Sequence, residues 1–456
     1  MGLVTTHHWR TPVEQNPIRI AEILLGLKDV NLIGVEDLGN EDSKTPLRVH
    51  IECRGERPKC PVCNGMSYSK GGSLVELIDL QSFGRPVRLI WHKRRWVCKD
   101  ETCIAPSWSD VDTRIAAPRL KLTDRAARFA TRVVGRDGRS VSSVARELDC
   151  DWHTINDAVI AYGTPLVEDP NRFGKVRALG LDETLFYREG RYHNQKWSTS
   201  IVDVMSATLL DVVPGKGGAE PKKWIASHSR EWRDDIKWGT LDLAGSYRAV
   251  FKEALPNAVL VADPFHLIKL ANTRLDETRR RVQQNILGHR GRGGDPLYRI
   301  RRLLNMAKEK LTEGANAKLT HLLELGDPDN EVATSWRVKE SLRELYTYRD
   351  PDLARDHLDA LISDFTDNQR PPEVQLLGRT LKSWHDEILA WHRSFVTNGP
   401  TESMNNLIKR IKRIAFGMTN FANFRIRVLL SAGKPDWSLL ATVTPVTTHI
   451  SSALGS

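Results

Sequence analysis

The sequence predicts a multidomain α/β protein: a small β-rich module, a short helical module, then a mixed α/β core split by a helical insertion. Three patterns predict it. Two cysteine pairs between residues 60 and 103 bracket strand-like alternation. Residues 175–266 run through strand and helix patterns in the order βββαβαβ. Residues 267–395 then keep helical apolar spacing almost without interruption.

A length of 456 residues exceeds one ordinary domain, and 40% hydrophobic residues suffice for more than one core. No run of about 18 apolar residues is present. The first residues, MGLVTTHHWRTPVEQNP, lack the apolar stretch of a signal peptide. The chain is therefore expected in the cytoplasm, away from membranes. Its 67 Lys and Arg against 57 Asp and Glu give a net charge of +10. That balance suits a polyanionic partner without identifying one.

Residues 1–118 form the β-rich module. Residues 17–27 have helical spacing, and NLIGVEDL, LRVHIEC, LVELIDL and VRLIWHKRRWVC alternate as strands. Val87, Leu89, Trp91 and Trp96 are the expected inward residues of the last. Cys60-x₂-Cys63 lies in a turn shaped by Pro61 and Gly65, and Cys98-x₄-Cys103 closes a strand. In a reducing compartment such pairs read as metal ligands, and four thiolates make a closed structural Zn²⁺ site. Cys53 is left over and expected as a buried thiol.

Residues 119–165 change to helix. Thr123 is the expected cap of a helix with Ala126, Phe129, Ala130 and Val133 on one face, broken by Gly135 and Gly138. Ser142 or Ser143 is expected to cap a second helix. A polar turn at 149–151 leads to a third, with Trp152, Ile155 and Val159 inward. Three short helices with a tight turn before the last describe a helix-turn-helix DNA-binding domain. Its third helix would offer His153, Thr154 and Asn156 to base edges, with Arg125, Arg128, Arg132, Arg136 and Arg139 flanking for phosphates. A helical linker bundle is the alternative.

The core begins at 172–266. Three antiparallel strands followed by αβαβ is the strand order of an RNase H-like core. Asp182, in LGLDET, is expected at the end of its first strand, and Asp242, in GTLDL, at the end of its fourth. Residues 267–395 form the all-helical insertion, broken at Gly291–Pro296, Gly326–Pro328 and Pro371–Pro372. The core resumes over 396–434 in a helix that starts near Glu402, and the tail 435–456 has no clear pattern. Asp182, Asp242 and Glu402 thus converge on one sheet edge. Three carboxylates there repel one another, and two hard divalent cations, Mg²⁺ or Mn²⁺, would relieve the repulsion. Two such ions, about 3.5–4 Å apart, suit phosphodiester cleavage and strand transfer. Asp203 sits mid-strand on the wrong element, and Glu183 faces away from Asp182.

LGLDET, TLDLAGSY, VLVADPFH and NGPTESMNNLIKRIKRIAFG, with Cys60-Pro-Val-Cys63 and the three helices, resemble the ISL3 family of bacterial insertion-sequence transposases. The resemblance covers almost the whole chain. It implies metal-dependent nicking at element ends and attack of a DNA 3′-hydroxyl on a target strand, with Asp182, Asp242 and Glu402 as the DDE triad. Asp263-Pro-Phe-His266 looks like the C/D-x-x-H pattern of transposases with helical insertions, which would make Asp263 and His266 an auxiliary pair. His266 as a plain helix cap or packing residue stays open, as does Asp263 as a rival to Asp242.

Beyond Glu402, Lys409, Arg410, Lys412 and Arg413, then Arg425 and Arg427, are expected on a solvated basic face, with Leu407, Ile408, Ile411 and Ile414 inward. Arg279–Arg281 and Arg299–Arg302 are expected to add charge in the insertion, and Trp384 or Trp391 to stack on an unpaired base. The expected partners are double-stranded DNA, as terminal inverted repeats and target, and a second copy of the chain to join two ends. A catalytically idle DNA-binding regulator and a metal-dependent nuclease are the competing functions.

Overall fold

The computed structural model describes residue 14 and residues 16–39, 45–104, 107–243 and 245–445. It divides into two compact units, residues 1–172 with 411–456, and residues 173–410. No helix among the described residues is long and apolar enough to cross a membrane.

The first unit opens with helix α1 (Pro17–Leu25), capped by the Asn16 side chain. Strands β1 (Val30–Glu36), β2 (Leu47–Cys53), β3 (Ser67–Ser82), β4 (Arg85–Cys98) and β5 (Trp108–Ser109) follow. They form one sheet in the order β1-β2-β4-β3, with β5 beside β4. Leu89 and Trp91 alternate inward onto Val30, Ile51, Leu77 and Ile115. Trp96 is also buried, and its indole N–H donates to Asp110 at 2.7 Å. Cys53 is only half-buried, at the edge of that core rather than inside it.

Helices α2 (Asp124–Gly135), α3 (Val141–Glu147) and α4 (Trp152–Val167) start at side-chain caps from Thr123, Ser140 and Asp151. The cap of α3 is Ser140 rather than Ser142 or Ser143, because Ser140 has the extended backbone that lets its hydroxyl accept from the Ser143 N–H. Gly135 is still helical and serves packing. A Cβ there would come within 2.8 Å of Trp437 and 3.0 Å of Leu430. Gly163 on α4 likewise admits Leu430, so the helix Phe421–Ala432 lies close against α2 and α4. Residues 411–434, grouped by sequence with the core, thus pack within the first unit. The tail has a 3₁₀ turn at Trp437–Ala441, and residues 446–456 lie outside the described residues.

In the second unit, β6 (Ala178–Glu189), β7 (Asn194–Asp203) and β8 (Thr208–Pro214) form an antiparallel meander. Helices α5 (Ala219–Ala226) and α6 (Arg230–Asp235) lead to β9 (Trp238–Leu241), and α7 (Gly245–Ala254) to β10 (Val259–Ala262). The sheet order is β10-β9-β6-β7-β8, with β9 parallel to β6 and to β10. The parallel strands read as apolar runs because helices cover both faces.

Eight helices follow: α8 (Pro264–Leu287), α9 (Pro296–Arg299), α10 (Arg301–Asn305), α11 (Glu313–Gly326), α12 (Glu331–Leu345), α13 (Pro351–Phe365), α14 (Pro372–Ser383) and α15 (His385–Ser394). They are not a separate body. Val338, Leu358, Leu377 and Ile388 share one continuous core with Leu179, Ile201 and Leu241 of the sheet. Only the far end of α8, with α9–α11 and the start of α12, has a cluster of its own. Helix α16 (Gly399–Ile414) completes the set.

Two of the expected phosphate contacts are structural. Arg125 pairs with the buried Asp79 and donates to the carbonyls of Leu24 and Leu25. Arg128 pairs with Asp124 and donates to the carbonyl of Val443. Removing Arg125 strands a carboxylate that is 1% exposed. Arg125→Ala is therefore expected to destabilise the chain by roughly 2–4 kcal/mol. Chemical denaturation would show it; an unchanged midpoint would return Arg125 to the list of possible DNA contacts.

Candidate active site and metal centre

Strands β6 and β9 pair in parallel, with Ala178 opposite Trp238 and Gly180 opposite Thr240. Two residues on, Asp182 and Asp242 stand at the same level, just where β9 ends at Leu241. Asp182 does not end its strand as expected. Strand β6 runs on to Glu189 as an arm paired only with β7. Side chains alternate, so Asp182 shares a face with Gly180 and with its cross-strand partner Ser200. Glu183 turns to the other face with Thr199, whose hydroxyl meets that of Tyr247 at 3.0 Å. Asp203 ends β7, where its carboxylate accepts from the Met205 N–H at 3.0 Å and from the Ser206 hydroxyl.

Helix α16 docks on the Asp182 face. Gly180 makes this possible: a Cβ there would collide with Thr401 Oγ1 and come within 2.8 Å of Val204. Asn398, Glu402 and Asn405 form one stripe at i, i+4 and i+7. The Thr240 hydroxyl donates to Asn398 Oδ1 at 3.1 Å. Asn405 Nδ2 donates to Asp182 Oδ2 at 2.6 Å, while its Oδ1 accepts from the Ser200 hydroxyl at 2.6 Å. Asp263 stands at the N-cap of α8 without capping it. Its buried carboxylate instead accepts from the Asn398 N–H at 3.2 Å and meets His266 Nδ1 at 3.1 Å. His266 Nε2 lies 3.4 Å from Glu402 Oε1. Asp263, His266 and Glu402 are thus one chain of contacts, with Asp182 and Asp242 beside it.

The electrostatics follow from burial and like charge. Burial, then the charge of Asp242, push the Asp182 carboxyl above its usual range, against the pull of the Glu183 N–H and Asn405. Burial and both aspartates push Glu183 up as well. The hydrogen bond to Asp263 raises His266 despite its burial. Among the described residues no three of these acidic and histidine side chains close together to ligand-sharing distance; the four cysteines do.

Cys60, Cys63, Cys98 and Cys103 have all their sulfur atoms within 4.8 Å of one another. Cys60 Sγ lies 3.7 Å from Cys103 Sγ, and Cys63 Sγ lies 3.6 Å from Cys98 Sγ. The first pair sits in a tight turn closed by hydrogen bonds between Cys60 and Gly65 and between Asn64 and Cys60. Backbone N–H groups of Cys63 and Val62 point at the Cys60 sulfur and hold that thiol down to about 7. Four thiolates at this spacing are the donor set of a closed tetrahedral zinc site.

A family model described as "Transposase", that of the ISL3 transposases, matches residues 179–428, more than half of the chain. The chain belongs to the ISL3 transposase family. A second model, "zinc-finger of transposase IS204/IS1001/IS1096/IS1165", matches residues 56–103 and so takes in all four cysteines. The transposase for insertion sequence element IS1001 of Bordetella parapertussis is 24% identical over 395 residues, covering 85% of this chain and 92% of that relative. The transposase for IS1557 of Mycobacterium tuberculosis is 28% identical over 298 residues, covering 61% of this chain and 65% of its own length. The solved Drosophila P element transposase strand transfer complex aligns at 10% identity and a TM-score of 0.39, over 72% of this chain and 96% of that one. So loose a likeness carries no argument.

In this ISL3 family member several expected DNA contacts are placed differently. Thr154 and Asn156 are buried, Thr154 because its hydroxyl bonds the capping Asp151. Trp152, expected inward, is 41% exposed beside the exposed His153. Arg139 pairs with Glu147, whereas Arg132 and Arg136 are exposed. Lys409, Arg410 and Arg413 are exposed, and Lys412 is half-buried. Ile408 and Ile411 are buried, Leu407 and Ile414 only half so. Arg425 pairs with Glu168. Arg427 is buried, and burial pushes it down to about 10. Arg279 and Arg281 are tied to Asp276, Glu331 and Glu373 inside the helical region. Trp384 lies in the core and cannot stack on a base; Trp391 packs half-buried against Tyr346 and Phe395.

The sequence reading missed Gly180, Ser200, Asn398, Thr401 and Asn405. The stripe 398–402–405 was available from helical spacing; the cross-strand partner Ser200 was not.

Two outcomes follow from this geometry. Replacing Cys60 and Cys63 together by Ser is expected to lower bound zinc from roughly one ion per chain to near none. Elemental analysis reads it directly, and full zinc content would remove these residues from the site. The second concerns pH. An acid raised by folding costs stability above its folded pKa, and that cost vanishes below its unfolded value. Asp182→Asn without divalent cations is thus expected to raise the melting temperature by a few degrees at about pH 7, with the gain shrinking towards about pH 4.5. A gain independent of pH would show that the carboxyl charge is not its source.

Proposed function

We propose that this chain is a DDE transposase that binds the terminal inverted repeats of an insertion sequence and catalyses divalent-metal-dependent strand cleavage and strand transfer. One observation carries the proposal: the parallel register that sets Asp182 beside Asp242, with Glu402 arriving on α16. The mixed sheet β10-β9-β6-β7-β8 reads as an RNase H-like core, and α2–α4 as a helix-turn-helix with Asp149 in the left-handed conformation at its turn. Trp152, His153 and Asp157 are the exposed residues at the start of its third helix.

Asp182, Asp242 and Glu402 would hold two Mg²⁺ or Mn²⁺ ions. The residues fit: hard oxygen donors, one of them raised by burial and by its neighbour's charge, so that a cation offsets a repulsion already built in. The ions, when bound, supply activation of the attacking oxygen and stabilisation of the leaving one. Asn405 and the Glu183 N–H each hold one oxygen of Asp182, which fixes the direction in which the carboxylate's remaining lone pairs face a ligand. Asp263 orients His266, which in turn holds Glu402 at the site's edge. The zinc module and the three helices would bind element-end DNA. A homodimer would bring two ends together, acting on nucleoid DNA in the cytoplasm.

Asp182→Ala, Asp242→Ala and Glu402→Ala are each expected to lower Mg²⁺-dependent cutting of a supercoiled plasmid carrying the element ends by roughly a thousandfold, about 4 kcal/mol. Binding to the ends should persist. Normal cutting by any one variant removes that residue from the triad. Binding without any cutting by the unaltered chain would indicate a regulator, and cutting of any duplex a nuclease.

A further inference from the structure

A cleft of about 780 Å³ opens beside α8, lined by α8 from Lys269 onward, the loop after it and α9–α10. Six cations line it against two carboxylates. The carboxylates are already engaged: Asp276 with Arg279 and Arg280, Glu277 with Arg274. Among the described residues, Lys269, Arg290, Arg301 and Arg302 have no carboxylate in ion-pair range. Arg301 is held ready, stacked 3.9 Å from the Tyr298 ring centroid and donating to the Tyr298 carbonyl at 2.8 Å. Basic helix surfaces are ordinarily solvated or internally paired. This one is concave and keeps a surplus of unpaired positive charge, and arginine suits phosphate oxygens.

The cleft lies along the same helix as the candidate active site. His266, Lys269, Thr273, Asp276 and Arg280 follow one another at spacings of three and four, a single stripe along α8. From His266 to Arg280 the helix rises roughly 21 Å at about 1.5 Å per residue. That is the length of roughly six base pairs at about 3.4 Å each.

We propose that this cleft is a binding site for the DNA backbone, gripping phosphates within roughly six base pairs of the phosphodiester cut at Asp182 and Asp242. The distance rests on the proposed role of those acids; the binding does not. The decisive experiment measures affinity for a 30-base-pair duplex of arbitrary sequence, across a salt series. The variants are Arg290→Ala with Arg302→Ala, and, as a control of equal charge, Lys318→Ala with Arg379→Ala on other exposed faces. The cleft variant should lose about tenfold or more in affinity, and its log–log salt slope should fall by about 2 relative to the control. Unchanged affinity, or an equal loss in the control, overturns the proposal. A methylphosphonate walk along a duplex that the chain cuts then tests the distance. Interference is expected within about six base pairs of the cut, and absent in the cleft variant. Lost binding with interference at another distance would keep the site and overturn its placement. A chain that binds through the cleft and cuts nothing would leave the site standing and count against the DDE reading alone.

Discussion

Two like charges are held side by side because β6 and β9 run parallel, with Gly180 opposite Thr240. Nothing in the side chains favours that arrangement; the backbone ladder imposes it. Strand β9 stops at Leu241, so Asp242 stands at the open end of its strand while Asp182 stays clamped between β7 and α16. Burial and repulsion then raise Asp182. The fold tolerates the cost because the sheet around it is anchored in a large apolar core that continues into α12–α15. Helices α12–α15 are therefore not ornament beside the sheet. They supply much of the packing that keeps an unfavourable charge pair in place.

The close approach of α16 depends on this same region. Gly180 has no side chain where Thr401 must sit, and several polar groups buried there are matched across elements: Thr240 to Asn398 Oδ1, Ser200 to Asn405, Asp263 to the Asn398 backbone, whereas Asn398 Nδ2 and Thr401 Oγ1 have no hydrogen-bond partner among the described residues. The bonds that are made can form only at one placement of the helix, so they specify its angle and register. Glu402 and Asn405 thereby arrive as a set. Moving one moves the other, one turn apart on the same face.

Basic residues divide by what already holds them. Arg125, Arg128, Arg139, Arg281 and Arg425 are tied to carboxylates or carbonyls, and Arg279 and Arg427 are buried. These cations maintain the fold. Arg132, Arg136, Lys409, Arg410 and Arg413 are exposed, and with the α8 cleft they offer positive charge outward. A net charge of +10 does not distinguish the two groups.

By itself the sequence determined the elements and the residue types. Helical and strand periods, Thr123 as a cap, the cysteine spacing and the acids in LGLDET, GTLDL and NGPTES are local facts, legible because each depends on neighbours within a few positions. Tertiary structure decided the rest. Whether Arg125 reaches a phosphate or Asp79 depends on residues 46 positions apart. Whether Asp182 ends a strand depends on how far β7 stays paired with β6. Partners such as Ser200 and Asn405 lie 205 residues apart. No period or spacing encodes such a meeting; only the folded chain brings those groups together.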